Sequence, residues 1–411
     1  MEESRSLIAP GWVRLFTLVF FFFPQFLLID GMMTAWLFTP VWVYFLYQWK
    51  CISLKWLIPY LIVFFSFAIA HGTQGITLRY YLISSVLLFC TILFLLVCYR
   101  ILKTARPYFD AIMRNIVILN FMLTLFALVL LFVPPLKETV WYVMSISENI
   151  QPMPRLKMFT SEASHYSFLW ALPFLYFIVR MLFSNTSGYG LTLVMITLPL
   201  LLSFSLGVLS ALVAAGVLTL IFFRKHLVFS PKAKRYLLYG LGFFIVLSLL
   251  LFLCYPDNPL FLRIQNVFHG KDTSARGRTY EAFILAHKIA AQKSLWWGIG
   301  PGQLKLLGRD VIIQYYSYTR IPSVVRIPNA CAETMVYFGY IGLALRLFAE
   351  IFLFIKTKVA QHPFHLWLFL FLFLYQFTGS YITNVAEYML WMIAFSSFLF
   401  STRENKTARY V

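Results

Sequence analysis

Charge is scarce in this chain, and acid most of all. Of 411 residues, 12% are Asp, Glu, Lys or Arg, and only 15 are acidic. A soluble domain carries about a quarter of its residues as charges, so this composition excludes an ordinary soluble globular protein. Cysteine is scarce as well. Cys51, Cys90, Cys98, Cys254 and Cys331 stand alone in or beside apolar segments, without metal-ligand spacing, so they are packing residues and no metal site is expected. No Walker or Rossmann signature occurs: the Gly-rich stretch at 298–302 lacks the Lys-Ser/Thr that a phosphate-binding loop requires. No cofactor is expected.

What is present is hydrocarbon. Hydrophobic residues make up 61% of the chain and its mean hydropathy is +0.79. Nearly charge-free runs long enough to cross roughly 30 Å of lipid recur about twelve times. They lie near 12–29, 31–48, 56–72, 80–99, 114–134, 163–183, 190–204, 207–223, 236–255, 330–354, 364–382 and 385–401. The apolar run 191–223 is too long for one span and divides near Ser203–Gly207. The first run has no small-residue cleavage site after it and reads as a retained helix. The pattern predicts an all-α polytopic membrane protein.

The net charge of +19 lies in clusters: Lys50 and Lys55; Arg100, Lys103, Arg106 and Arg114; Arg224, Lys225, Lys232, Lys234 and Arg235; Lys356 and Lys358; Arg403, Lys406 and Arg409. All fall on one side if the N-terminus is inside, so the positive-inside rule places both termini in the cytoplasm and argues against nucleic acid as the partner. The chain then divides into helices 1–5 (1–134), a first outer loop (135–162), helices 6–9 (163–255), a large outer loop (256–329), helices 10–12 (330–401) and an inner tail (402–411).

The large outer loop holds ten Lys and Arg against Asp257, Asp272, Glu281 and Asp310. A basic outer surface suits an anionic substrate, phosphate being the natural candidate. Within it, Asp272-Thr273-Ser274 reads as a helix cap. Residues 275–295 read as an amphipathic helix lying along the membrane, with Tyr280, Phe283, Ile284, His287, Ala290 and Ala291 on one side. Trp296 and Trp297 suit the interfacial aromatic belt, and Gly298-Ile299-Gly300-Pro301-Gly302 ends the helix in a stiff turn.

These features resemble the O-antigen polymerase and ligase superfamily of bacterial inner membranes. The resemblance rests on Arg278 in a loop helix, Trp297, the 298–302 turn, Asn329 and "ETMVYFGYIGLALR" at 333–346. It is strengthened by "FTSEASHYSFL" at 159–169, with Ala163 in place of the family's proline, and "SFSLGVLSALVAAG" at 203–216. It covers roughly half the chain. Ligases of the family carry a histidine beside the asparagine, whereas here the neighbours are Pro328 and Ala330, which favours a polymerase.

The resemblance implies a metal-independent, GT-C-like glycosyltransferase with one large periplasmic loop. Its substrate would be an oligosaccharide on undecaprenyl pyrophosphate, with membrane lipid, a chain-length regulator and a flippase as candidate partners. Arginine suits the leaving pyrophosphate because its fork is planar and permanently charged. Arg278 and Arg276 lead, with Arg263, Arg320 and Arg326 behind them. The competing reading of each is a solvated or headgroup-binding charge.

Glu162 and His165, three residues apart at a helix start, share one face, and either is a candidate base toward the acceptor hydroxyl. The alternative is a helix-start carboxylate beside an interfacial histidine. Asn329 and Glu333 are candidates for sugar hydroxyls or for orienting an arginine, against plain N-capping by Asn329. Glu387 is a further outer carboxylate. A transporter or flippase is the competing class, but it should show internal repeats and mid-span ionisable residues. The spans read as charge-free except near their ends.

Overall fold

A computed structural model describes residues 10–22, 27–29, 32–49, 54–144, 152–183, 190–226, 259–316 and 325–400, with isolated positions between 235 and 254. The expected span 236–255 and Arg320 lie largely or wholly outside the described residues. The chain is predominantly helical. Among the described residues three helical stretches are long and apolar enough to cross a membrane: Leu78–Leu130, Ala163–Phe183 and Ala330–Lys356. Shorter apolar helices accompany them, among them Gly190–Ser203, Leu206–Phe222, Pro363–Tyr375 and Val385–Ala394.

The helix ends follow local chemistry. Leu78–Ala105 passes through a short 3-10 turn at Arg106–Tyr108 into Phe109–Leu130, the turn falling at Pro107, which lacks an N–H for the ladder. The apolar run 191–223 breaks at Phe204, whose φ of 45° no helix accepts. The first expected span departs from its forecast. Its described helix is Pro10–Phe22, and Leu27–Ile29 pairs antiparallel with Met32–Met33.

The largest core joins Phe20, Phe94, Phe168, Trp170 and Phe371, all buried. Within it Leu206–Phe222 and Pro363–Tyr375 pack closely. There a Cβ on Gly216 would meet the Trp367 ring, and Trp367 Nε1 donates to the Leu212 carbonyl at 3.0 Å. Small residues at such crossings let backbones approach, which drives helix association where lipid offers no hydrophobic gain. A second core lies under the first outer loop. Strands Trp141–Met144 and Met153–Leu156 pair antiparallel, and the buried Trp141 donates to the Ala127 carbonyl at 2.7 Å.

Residues of 282–312 and 327–336 build the third core. Ala282, Leu285, Ala286 and Ile289 of helix Tyr280–Ala290 pack against Ala332, Met335 and Val336. This corrects the surface-lying helix of 275–295. The run breaks at Thr279 and ends at Ala290, and the buried stripe is Ala282–Leu285–Ala286–Ile289, while Tyr280, Ile284 and His287 are exposed. The helix serves protein packing and leaves its aromatic side outward.

Ala330–Lys356 is a broken helix. Gly339 sits at φ 65°, ψ −165°, a conformation reserved for glycine. The break opens the two ladder bonds that would join Tyr340 N to Val336 O and Ile341 N to Tyr337 O. The 295–300 turn replaces both. Val336 O accepts from Ile299 N at 2.9 Å and Tyr337 O from Gly300 N at 3.0 Å, while Tyr340 N donates to Leu295 O at 2.9 Å and Ile341 N to Trp296 O at 3.2 Å. Irregular backbone in a membrane bundle persists only where protein re-satisfies it in this way.

The stiff Gly-Pro turn therefore plugs a helix break. The expected interfacial belt is corrected accordingly: the Trp297 ring packs edge-on against Phe67 at 5.4 Å, and its carbonyl accepts from His71 Nε2 at 2.8 Å. Only Trp296 remains exposed. A Cβ on Gly298 would lie 2.6 Å from the Phe338 and Gly339 nitrogens, so the close approach requires glycine there. Gly300 faces Tyr81 and His71, Gly302 faces the Tyr80 carbonyl, and Pro301 is buried beside them.

Candidate functional site

The first outer loop, the start of Ala163–Phe183, the Arg278 helix and the 376–384 connection converge on one cluster of charges. Asp272 caps helix Thr273–Arg278, its Oδ1 accepting from Ala275 N at 2.8 Å, while its Oδ2 accepts from Arg263 Nε at 3.2 Å. The short helix turns Arg278 toward Glu162, with Nη2 to Oε2 at 4.0 Å. Ser164 Oγ donates to the same Glu162 oxygen at 3.1 Å, and Ser161 Oγ lies 2.9 Å from His165 Nδ1. The His165 ring meets Tyr381 edge-on at 6.0 Å. Arg278, Glu162 and His165, far apart in sequence, stand together.

Arg276 does not join them. Two residues from Arg278, it falls on the opposite side of the helix, where its guanidinium pairs with the buried Glu281 and donates to Tyr280 Oη at 3.1 Å. Its expected role as a phosphate ligand is corrected. Asn329 takes the N-cap role weighed for it, its Oδ1 accepting from Ala332 N at 2.8 Å, and its Nδ2 donates to the Arg278 and Phe377 carbonyls. Glu333 is buried, accepting from Ile382 N at 2.7 Å and from Tyr337 Oη at 3.3 Å. Both are buried and engaged within the protein. Arg326 lies exposed at the rim, stacked over Tyr381 at 5.2 Å.

The cluster contains residues that sequence reasoning missed. Tyr142 and Arg155 are direct cross-strand partners, so their side chains share a face, and the Arg155 guanidinium lies over the Tyr142 ring at 5.0 Å. The available signal was the pair of short strand-like stretches "WYVM" and "MPRL" around a polar turn. Tyr381 carried no signal of its own.

Electrostatics single out the arginines. Burial, reinforced by the nearby positive charges of Arg263 and Arg278, brings the Arg155 guanidinium down to about 10 despite attraction from Tyr142 and Glu162. Burial also lowers Arg263, with Asp272 opposing the fall. Arg278 is held above its ordinary value, because the phenols of Tyr375, Tyr381 and Tyr142 and the Glu162 carboxylate outweigh its burial. Burial works to raise the Glu162 carboxyl, but His165, Arg278, Ser164 and Arg155 together hold it below the ordinary carboxylate range. Three arginines thus share two carboxylates. Arg155 Nε and Arg263 Nη1 are buried with no hydrogen-bond partner among the described residues. Buried guanidinium N–H groups left open are costly, and an anion would satisfy them.

A second charge cluster corrects the expectation that charges keep to the span ends. Arg346, in the second half of the broken helix, donates to Glu350 at 3.1 Å, Gln376 at 2.9 Å and Thr334 at 3.3 Å, and pairs with Glu387. Gln376 Nε2 in turn donates to Glu350 Oε2 at 2.7 Å. Glu387 is therefore an arginine partner. Among the described residues no group of three or more His, Cys, Asp or Glu is placed to hold a metal ion. In comparisons with known proteins, no family model matches the chain and no curated protein matches it significantly.

Proposed function

We propose that this chain is a bacterial inner-membrane glycosyltransferase that polymerises undecaprenyl-pyrophosphate-linked repeat units into O-antigen or a related surface polysaccharide. It would have about twelve spans, both termini cytoplasmic and a GT-C-like arrangement. The observation that carries the reading is the trio Arg155, Arg263 and Arg278: Arg155 Nε and Arg263 Nη1 are buried without a hydrogen-bond partner among the described residues, and Arg278 lies 4.0 Å from Glu162. Under this reading the acceptor hydroxyl attacks the anomeric carbon. The bond from that carbon to the pyrophosphate oxygen breaks, the electron pair leaves with the pyrophosphate, and the arginines stabilise its charge. Glu162 takes the hydroxyl proton. It is preferred to His165 because the imidazole is buried and its Nδ1 is engaged by Ser161. The activated lipid supplies the energy, so no cofactor enters.

A lipid tail also has room. An apolar cavity of about 380 Å³ lies among helices Leu54–Thr73, Leu78–Ala105, Ala330–Lys356 and Val385–Ala394, bordered by Ile382, the neighbour of Tyr381. The experiment is a gel of surface and lipid-linked polysaccharide from cells lacking the gene, complemented with wild type or Arg278→Ala. Loss of the long-chain ladder with single units retained, unrescued by a normally inserted Arg278→Ala protein, supports the polymerase. Full-length chains accumulating on the carrier lipid would mean a ligase that passes them to lipid A-core. Repeat units missing from the outer leaflet would mean a flippase.

A further inference from the structure

Thr279, at φ −108° and ψ −115°, interrupts the helical run between Thr273–Arg278 and Tyr280–Ala290. The Arg278 carbonyl at that break accepts from Asn329 Nδ2 at 2.8 Å, and the same amide nitrogen donates to the Phe377 carbonyl at 2.6 Å. Asn329 is fully buried. On its flank Ala330 N donates to Gly379 O at 3.1 Å and Cys331 N to Gln376 O at 3.3 Å. One side chain thus ties together three elements, each contributing a wall of the arginine site: the Arg278 helix, the 376–384 connection with Tyr381, and the segment led by Arg326.

We propose that Asn329 is a positioning residue that fixes the depth and direction of Arg278 against Glu162 and Tyr381 without touching substrate. The inference rests on the arginine cluster being the pyrophosphate site. The two ends of the amide do separate things. Oδ1 caps the helix, a structural task that Asp or Ser performs as well; Nδ2 clamps the Arg278 and Phe377 carbonyls, which a carboxylate cannot do because it only accepts. Misplacing a catalytic group by about 1 Å lowers rate by roughly a hundredfold, so the clamp is worth that order to turnover.

The test uses the purified full-length chain in lipid, comparing wild type, Asn329→Asp, Asn329→Ser and Arg278→Ala. The readouts are kcat, KM, inhibition by inorganic pyrophosphate and unfolding temperature. The expected result for Asn329→Ser is normal insertion with a modestly lowered unfolding temperature, kcat down by about a hundredfold, and weaker inhibition by pyrophosphate; Asn329→Asp, whose buried carboxylate faces two carbonyls, is expected to show the same loss of activity at lower stability. Asn329→Ser carries the test if the Asp carboxylate, facing two carbonyls, prevents insertion. Wild-type turnover and pyrophosphate inhibition in either inserted variant overturns the proposal, and so does failure of both variants to fold, which would make Asn329 structural only. The underlying reading fails separately: an active Arg278→Ala enzyme removes the arginine site itself, whereas an inactive one beside fully active Asn329 variants removes the clamp alone.

Discussion

Arg278 and Arg346 are both partly or wholly buried arginines in a chain poor in charge, and they live in opposite circumstances. Arg346 is 13% exposed and engages Glu350, Gln376, Thr334 and Glu387. Arg278 is 31% exposed, and its nearest carboxylate, Glu162, is 4.0 Å away. A saturated buried ion pair contributes little net stability, yet removing one partner leaves the other charge stranded. An under-satisfied cation beside two others is a standing demand for an anion. The first arrangement holds helices in register, and the second is available for chemistry.

The sharpest way to break this comparison is to remove each arginine. Arg278→Ala is expected to lower turnover by about 10²–10³-fold with normal insertion. Arg346→Ala is expected to destabilise the fold by roughly 3–5 kcal/mol, since Glu350 and Glu387 lose their counter-charge. Unfolding temperature in lipid and a polysaccharide gel separate the two, and a stable, inactive Arg346→Ala protein would erase the distinction.

Next in size is the helix break at Gly339, which the 295–300 turn fills. In Gly339→Ala the Cβ would overlap the Trp296 carbonyl at a φ that costs about 1–3 kcal/mol on its own, so loss of folded protein is expected by size-exclusion chromatography. Gly300→Val would place a β-branched residue at φ 89°, its Cβ 3.0 Å from Tyr81 and 3.3 Å from His71; reduced activity with retained insertion is expected, and full activity would show that the turn does not position the site.

Within the open cluster, Arg155→Gln is expected to weaken inhibition by pyrophosphate about tenfold and to reduce its salt dependence, because one of three cations is gone. An unchanged inhibition constant would exclude Arg155 from the anion site. The smallest effect concerns pH. Glu162 has a depressed pKa in the folded protein, so any stability it contributes is present above its unfolded value of about 4.3 and lost as pH falls through the folded value. Its side chain is 34% exposed, so screening keeps the contribution below about 1 kcal/mol. The unfolding temperatures of wild type and Glu162→Gln should differ by a constant amount down to about pH 5 and converge in stronger acid; convergence already near neutrality would mean that Arg278 does not hold the carboxylate.

Legibility in the sequence followed the range of the interaction. The helix Ala163–Phe183 is marked by its apolar run with Glu162 and His165 at its head, and the division of 191–223 follows from length alone. Arg278 is marked by its place in a basic loop together with the family resemblance. Arg276, two positions away, is equally basic, and only the helix face separates it from the site. Arg155 was hidden because cross-strand pairing with Tyr142 depends on register. The role of the Gly-Pro turn was hidden because its partner, the break at Gly339, lies inside a run that reads as one continuous span.

By itself the sequence determined that the chain is built of apolar helices long enough to suit a membrane, and that its longest polar segment, 256–329, is basic, because hydropathy and charge are properties of segments and need no partner. Only the tertiary structure decided which arginines are left open and which are saturated, and that Asn329 grips the Arg278 backbone. A guanidinium's availability depends on the donors and acceptors that other segments bring within about 3 Å, and that pairing does not exist until the segments have packed.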